Sequence, residues 1–99
     1  MTTFLVTYPL TDGARFDADY YVAKHMPLVR ESWVQYGLTD AKALIPDQTA
    51  PAYAAVAVLD FADGAALDAA LASAEASTVF GDVANFTDIA PIALRCEAR

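Results

Sequence analysis

The sequence has little cysteine, histidine, glycine and positive charge, and each shortage argues against a class of protein. Its 99 residues include one Cys and one His, so no intrachain disulfide can form and a tetrahedral zinc site would need several carboxylates. Four glycines form no Gly-rich phosphate loop, which argues against a nucleotide cofactor. The net charge of −7 argues against nucleic acid and against an anionic membrane surface as partners. We therefore expect no metal and no cofactor.

Long apolar runs are also absent. The longest stretch without a charge, QTAPAYAAVAVL, has 12 residues and is too short to cross a bilayer. The start, MTTFLVTYPL, carries no basic residue ahead of its apolar run, unlike a signal peptide. These features lead us to expect a cytoplasmic protein with one domain over residues 1–99.

Hydrophobic patterns divide the chain into strands and helices. TFLVTYP and AYAAVAVLDF are rich in the β-branched, aromatic and alternating residues of strands. Asp17 suits a helix N-cap, and Gly37 lies where a helix C-terminus favours glycine. The predicted elements are a strand over 3–9, a helix over 18–36, strands over 38–45 and 52–61, a helix over 64–74, a short helix or turns over 75–87, and a strand over 89–98. The order βαββαβ predicts an α+β fold with an antiparallel ferredoxin-like sheet.

The strand over 52–61 is apolar on both faces. Ala57 and Leu59 point to one side, and Val56 and Val58 to the other. In a ferredoxin-like unit the helices cover one face, and a face open to water should be polar. Hydrophobic residues also make up 57% of the chain, above the usual share of roughly 45–50%. We therefore expect a homodimer that packs sheet face against sheet face.

The stretch YYVAKHMPLV holds the only histidine of the chain. At about 100° per residue, His25 lies in the middle of the apolar stripe of its helix, whereas Tyr20 projects to the other side. Pro27 lacks an N–H and disfavours α geometry at Met26, so the helix should be interrupted between Lys24 and Pro27, and a cleft could open beside His25. A lone histidine on an apolar face is more often a core residue, so the pattern alone leaves both interpretations open.

The segment FDADYYVAKHMPLVRESWVQYGL resembles the first-helix region of the EthD-like family, named after a protein of ethyl tert-butyl ether degradation. The residues that carry the resemblance are Phe16, Asp17, Tyr20, Tyr21, His25, Pro27 and Leu28. The resemblance implies a dimeric α/β barrel, in which two ferredoxin-like units join their sheets. It also implies a role in oxidative or secondary metabolism, with an oxidoreductase association. Barrels of this kind include cyclases, dehydratases, isomerases, monooxygenases and haem degraders, so the fold does not name a reaction.

The site hypothesis centres on an imidazole and phenols in an apolar pocket. His25 can exchange a proton near neutral pH, and Tyr20 or Tyr21 could hydrogen-bond a developing enolate oxygen. The side chains expected to line the substrate pocket are Tyr8, Met26, Val29, Trp33 and Phe80. A nucleophilic Cys96–His25 pair is possible on paper, but Cys96 is better explained as a buried structural cysteine.

The expected function is cofactor-free acid–base chemistry of the cyclase, dehydratase, isomerase or oxygenase type. Its substrate would be a hydrophobic carbonyl or aromatic compound. One alternative is a non-catalytic protein that binds a hydrophobic metabolite for an oxygenase system. Another is haem binding with His25 as the axial ligand.

Overall fold

A computed structural model describes residues 1–99 as an α+β fold, which confirms the predicted class. Four strands form one antiparallel sheet in the order β2-β3-β1-β4. The strands are β1 (Thr2–Pro9), β2 (Leu38–Leu44), β3 (Tyr53–Phe61) and β4 (Ile92–Glu97). The first helix consists of α1 (Ala18–Tyr20), a π-helical turn (Tyr21–His25), α2 (Met26–Trp33) and a 3₁₀ turn (Val34–Tyr36). The second helical region consists of α3 (Gly64–Ala72), α4 (Ala74–Gly81) and a 3₁₀ turn (Asp82–Asn85).

The helices cover one face of the sheet, and the core lies between them. Every second residue of β3 from Ala55 to Phe61 is buried, as the alternating pattern predicts. The largest fully buried side chains of this core are Trp33, Tyr8, Tyr21, Phe61, Phe86, Met26 and Leu67. Aromatic rings therefore fill much of this core.

The predicted helix ends are capped by the expected residues. The side chain of Asp17 accepts a hydrogen bond of 3.0 Å from the backbone N–H of Tyr20. Gly37 has a φ of 103°, the left-handed conformation that glycine adopts most easily. A Cβ atom on Gly37 would lie 2.7 Å from the Cβ of Ala66, so glycine is also required by the close packing of the two helical regions.

The α geometry of the first helix is interrupted beside Pro27, as predicted, but the expected departure of Met26 from helical geometry was wrong. Met26 keeps right-handed helical geometry (φ −63°, ψ −42°), and the chain stays helical through the proline. The departure from α geometry is a π turn over Tyr21–His25, in which the N–H of Met26 donates to the carbonyl of Tyr21. Pro27 instead lies in the first turn of α2, where the missing N–H of a proline costs little.

Two element boundaries and the burial of one residue also differ from the sequence prediction. The second helix ends at Ala72, because Ser73 is extended (φ −75°, ψ 159°), and a separate helix α4 follows in the segment that the pattern left ambiguous. The last strand begins at Ile92 rather than at residue 89, since Pro91 cannot donate to a strand ladder. Cys96 is only half-buried, so its expected full burial was wrong.

The other face of the sheet is open and mostly apolar near its centre. The register places three rows of residues across the four strands on this face. Two mostly apolar rows are Leu44–Val56–Thr7–Ile92 and Lys42–Val58–Leu5–Leu94, and the third row, Asp40–Asp60–Thr3–Cys96, is mostly polar. Leu44, Ile92 and Leu94 are exposed in the single chain. No helix is both long enough and apolar enough to pass through a bilayer.

Candidate functional site

His25 lies at the end of the π turn and is 96% buried, with 4% of its surface exposed. Its Nδ1 lies 2.9 Å from Oδ2 of Asp82, and this is the only hydrogen bond of the ring within the chain. A carboxylate only accepts hydrogen bonds, so the neutral ring must carry its proton on Nδ1 and leave Nε2 with a free lone pair. The imidazole is therefore oriented with a basic nitrogen available.

Asp82 is the centre of the polar site. It begins the 3₁₀ turn after α4, and its side chain is 12% exposed. Besides His25, it accepts hydrogen bonds from the hydroxyl of Tyr20 (2.8 Å) and from Nδ2 of Asn85 (2.9 Å). Burial acts to raise the pKa of Asp82, but the hydrogen bonds from Asn85, His25 and Tyr20 outweigh it and hold the pKa below its usual value. Asp82 is therefore a fixed negative charge.

The π turn explains how Tyr20 and His25 reach the same carboxylate. Five residues of α-helix would separate their directions by about 140°, because each residue turns the chain by about 100°. The π turn has i→i+5 hydrogen bonds and is wider, which brings residues five apart closer to one side. Tyr20 and His25 therefore face Asp82 together.

Aromatic rings enclose the imidazole. The ring of Tyr21 stacks on that of His25, with centroids 5.7 Å apart and planes at 17°, and the ring of Phe86 lies 4.6 Å away. Burial lowers the pKa of His25 below 6.5, and this effect exceeds the opposing influence of Asp82. His25 is thus neutral at pH 7, the state in which it can accept a proton.

A cavity of about 30 Å³ lies between the helices and the sheet, beside His25. Its wall includes all five side chains expected at the pocket, and ten of the 12 lining residues are hydrophobic. The wall is formed by Val6, Tyr8, His25, Met26, Val29, Trp33, Ala57, Leu59, Val79, Phe80, Val83 and Pro91. The indole N–H of Trp33 is buried and has no hydrogen-bond partner. Burial raises the pKa of Tyr8 to about 12, so this phenol stays protonated.

The two tyrosines expected to assist His25 do not line the cavity. Tyr20 donates to Asp82, and Asp82 raises the pKa of Tyr20 and keeps the phenol protonated. The hydroxyl of Tyr21 is buried without a hydrogen-bond partner, and burial raises its pKa. Asp82 and Asn85 were missed by the sequence analysis, because they lie in the segment whose pattern was ambiguous. No group of His, Cys, Asp and Glu is arranged to hold a metal ion.

The comparisons with known proteins agree with the resemblance seen in the first helix. The EthD domain family matches residues 13–90. An EthD-like protein from Ralstonia eutropha JMP134 is 31% identical, with a TM-score of 0.82 over 97% of this chain and 89% of that chain. An ethyl tert-butyl ether degradation (EthD) family protein from Bacillus halodurans C-125 is 18% identical, with a TM-score of 0.77 over 100% and 99%.

A third similar structure shares the fold. It is a dimeric ferredoxin-like protein of unknown function from Jannaschia sp. CCS1, which is 22% identical with a TM-score of 0.69 over 98% of each chain. At that identity the likeness shows the fold alone. No curated protein matches the chain in sequence.

Proposed function

This chain belongs to the EthD family, and we propose that it acts in small-molecule metabolism by moving a proton on a neutral, hydrophobic compound without a cofactor. The observation that carries the proposal is the Asp82–His25 hydrogen bond beside an apolar cavity. A buried carboxylate that orients an imidazole is a common arrangement for a general base.

The proposed step begins with proton abstraction from a carbon next to a carbonyl group. Nε2 of His25 takes the proton, and the electron pair of the C–H bond moves to form an enolate. Asp82 stabilises the resulting imidazolium through the hydrogen bond at Nδ1, and Tyr20 keeps the carboxylate in place from its other oxygen. In an isomerisation the imidazolium then returns the proton to another carbon of the enolate system. In a dehydration it protonates the departing hydroxyl, which leaves as water, and in a cyclisation it protonates the alkoxide that forms when the enolate carbon attacks a second carbonyl of the same molecule.

The developing negative charge on the substrate oxygen needs hydrogen-bond donors. Two donors belong to residues of the cavity wall, the phenol of Tyr8 and the indole N–H of Trp33. The hydroxyl of Tyr8 holds its proton because its pKa is raised to about 12. These two groups take the place that the sequence analysis gave to Tyr20 and Tyr21, which we propose to act through Asp82 and by packing on His25.

The charge of the molecule favours a neutral substrate. No Lys or Arg lines the cavity, and the net charge of the chain is −7. An anionic substrate would therefore meet repulsion on approach and find no counter-ion inside. A flat carbonyl compound with one or two rings suits the aromatic wall.

Exchange of carbon-bound hydrogen tests this proposal before the natural substrate is known. β-Tetralone is neutral and flat, and has an acidic C–H between a ring and its carbonyl, so its deuterium uptake in heavy water can be followed by NMR. The protein should accelerate the uptake, and His25→Gln should reduce the acceleration by roughly 10²–10⁴-fold. Tyr36→Phe is the control, because that hydroxyl bonds Glu75 outside the site. Undiminished exchange in His25→Gln would refute the base.

A second candidate is a non-catalytic protein that binds a hydrophobic metabolite for an oxygenase system. The mostly apolar wall of the cavity favours it. Saturable binding of β-tetralone without any accelerated exchange would support this function. Haem is a poor fit, since a macrocycle would displace several buried side chains around a cavity of about 30 Å³.

We further propose that two copies form a homodimer through the open sheet faces. Two of the three rows on that face are mostly apolar and carry one charged residue, Lys42, whereas the third row holds Asp40 and Asp60 at one end of the strands. Such a face exposed to water would be unusual for an isolated antiparallel sheet. Sedimentation should give twice the chain mass of 10.5 kDa at micromolar concentration.

A further inference from the structure

The cavity beside His25 is smaller than any molecule it could process. Its volume is about 30 Å³, enough for one or two water molecules. A cavity that binds benzene has a volume of roughly 150 Å³, and pockets for larger ligands have roughly 300–1,000 Å³. Part of the wall must therefore move when a small organic molecule binds.

Most of the wall is part of the core, so moving its side chains would disrupt packing and cost free energy. Eight of the 12 lining residues are buried, and two more are half-buried. The two exposed ones are Phe80 and Pro91. The ring of Pro91 is fixed to the backbone, so it cannot swing away. Phe80 is 47% exposed and can rotate about its side-chain bonds without breaking a hydrogen bond.

The surroundings of Phe80 leave room for such a movement. Its ring packs edge-on against that of Trp33, with centroids 5.9 Å apart, and its other side faces water. It is the penultimate residue of α4, and a Cβ on the following Gly81 would meet nothing within 4 Å. Asp82 follows Gly81, so the exposed ring and the carboxylate that bonds His25 are two residues apart in the chain.

We propose that Phe80 controls access to the cavity and sets the size of the molecule that the cavity accepts. The inference rests on the proposed small-molecule function and adds the residue that determines its specificity. A ligand ring replaces the phenyl ring of Phe80 against Trp33, while the buried part of the wall stays in place. The accepted class is neutral, flat and apolar, with one or two rings. The proposed dimer uses the opposite face of the sheet and leaves this opening free.

Fluorescence of Trp33 offers a direct test, because it is the only tryptophan of the chain. Its side chain is buried in the cavity wall behind Phe80. Quenching by acrylamide should be weak in the wild type and severalfold stronger in Phe80→Ala. Phe80→Leu should lie between them. Tyr53→Ala is the matched control, because Tyr53 is an aromatic residue with 43% exposure that does not line the cavity.

Binding of dansyl amide tests whether Phe80 limits the size of the molecule that the cavity accepts. Dansyl amide is uncharged, and it accepts excitation energy from tryptophan. Its association should be faster and tighter in Phe80→Ala than in the wild type, and Phe80→Tyr, of nearly the same size, should behave as the wild type does. Equal quenching and equal binding in the wild type and Phe80→Ala would overturn the proposal. Stronger quenching in Tyr53→Ala as well would also overturn it, because general loosening would then explain the effect.

The variants must keep their fold for this comparison. Phe80 is half-exposed, so Phe80→Ala should unfold within a few degrees of the wild type, and Phe80→Leu gives the same ordering with a smaller loss of apolar contact. The fluorescence measurement involves no proton transfer. Loss of the proposed base activity in His25→Gln and loss of the proposed access control in Phe80→Ala are therefore separate results, and either proposal can fail alone.

Discussion

Replacing Asp82 by Asn should lower the pKa of His25 further. Burial already holds that pKa below 6.5, and the hydrogen bond and charge of Asp82 are the influences that oppose burial. Asparagine keeps the size of the side chain and removes the charge. The imidazolium would then be buried with no counter-ion, so protonation of the ring becomes harder.

The size of the shift follows from the geometry. The bond between Nδ1 and Oδ2 is 2.9 Å long, and both side chains are largely shielded, at 5% and 12% exposure. A hydrogen bond to a charged group contributes roughly 1.5–3 kcal/mol, and one pKa unit corresponds to roughly 1.4 kcal/mol. We therefore expect the pKa of His25 to fall by about one to two units in Asp82→Asn.

NMR can measure this without a substrate. The chain has one histidine, so the Cε1–H signal of His25 is unambiguous and its pH titration gives the pKa. In the wild type, the ¹⁵N chemical shifts of the ring should also show that Nδ1 carries the proton and that Nε2 is unprotonated. Glu75→Gln is the control, since Glu75 bonds Tyr36 and not His25. An unchanged or raised pKa in Asp82→Asn would show that the carboxylate does not support the imidazolium.

Three further outcomes can be measured on the purified protein. Gly37→Ala should lower the free energy of unfolding by about 1–3 kcal/mol or more, from strain at positive φ and the 2.7 Å approach to Ala66, whereas Gly81→Ala should be nearly neutral in thermal melts. The free energy of unfolding should fall as the pH drops through 6.5 towards the lower pKa of His25 in the folded chain, because the unfolded chain binds the proton first. This pH dependence should vanish in His25→Gln. If it persists there, another group is responsible. Leu94→Arg, on the open sheet face, should sediment as a 10.5 kDa monomer, and an unchanged dimer would place the interface elsewhere.

The fold could be predicted from local patterns because particular residues mark where its helices begin and end. Asp17 caps the first helix, Gly37 ends it in left-handed geometry, and the alternation in β3 matches its buried face. The error at Pro27 came from applying the rule for helix interiors to a residue in the first turn of α2, after a π turn that no sequence pattern announces.

The candidate site was only partly accessible from the sequence. His25 and its apolar neighbours share one helix, and helical periodicity therefore places them together. Asp82 lies 57 residues away, so its bond to His25 depends on how α4 packs against the first helix. The choice between Tyr20 and Tyr21 was equally out of reach, because regular α geometry turns Tyr20 away from the imidazole. The π turn, which the sequence does not indicate, brings Tyr20 to Asp82.

The π turn also bears on related chains in which this stretch is one residue shorter. It holds one residue more than an α-helical turn, so deletion of one residue from 22–24 would let the stretch close as ordinary α-helix. Tyr20 and His25 would then be four residues apart, and at about 100° per residue their directions would differ by only about 40°, so both could still face Asp82. The same stretch closed as α-helix without the deletion would separate their directions by about 140°. In an alignment, a single-residue gap here would therefore mark chains that can share one carboxylate between a phenol and an imidazole without any π turn.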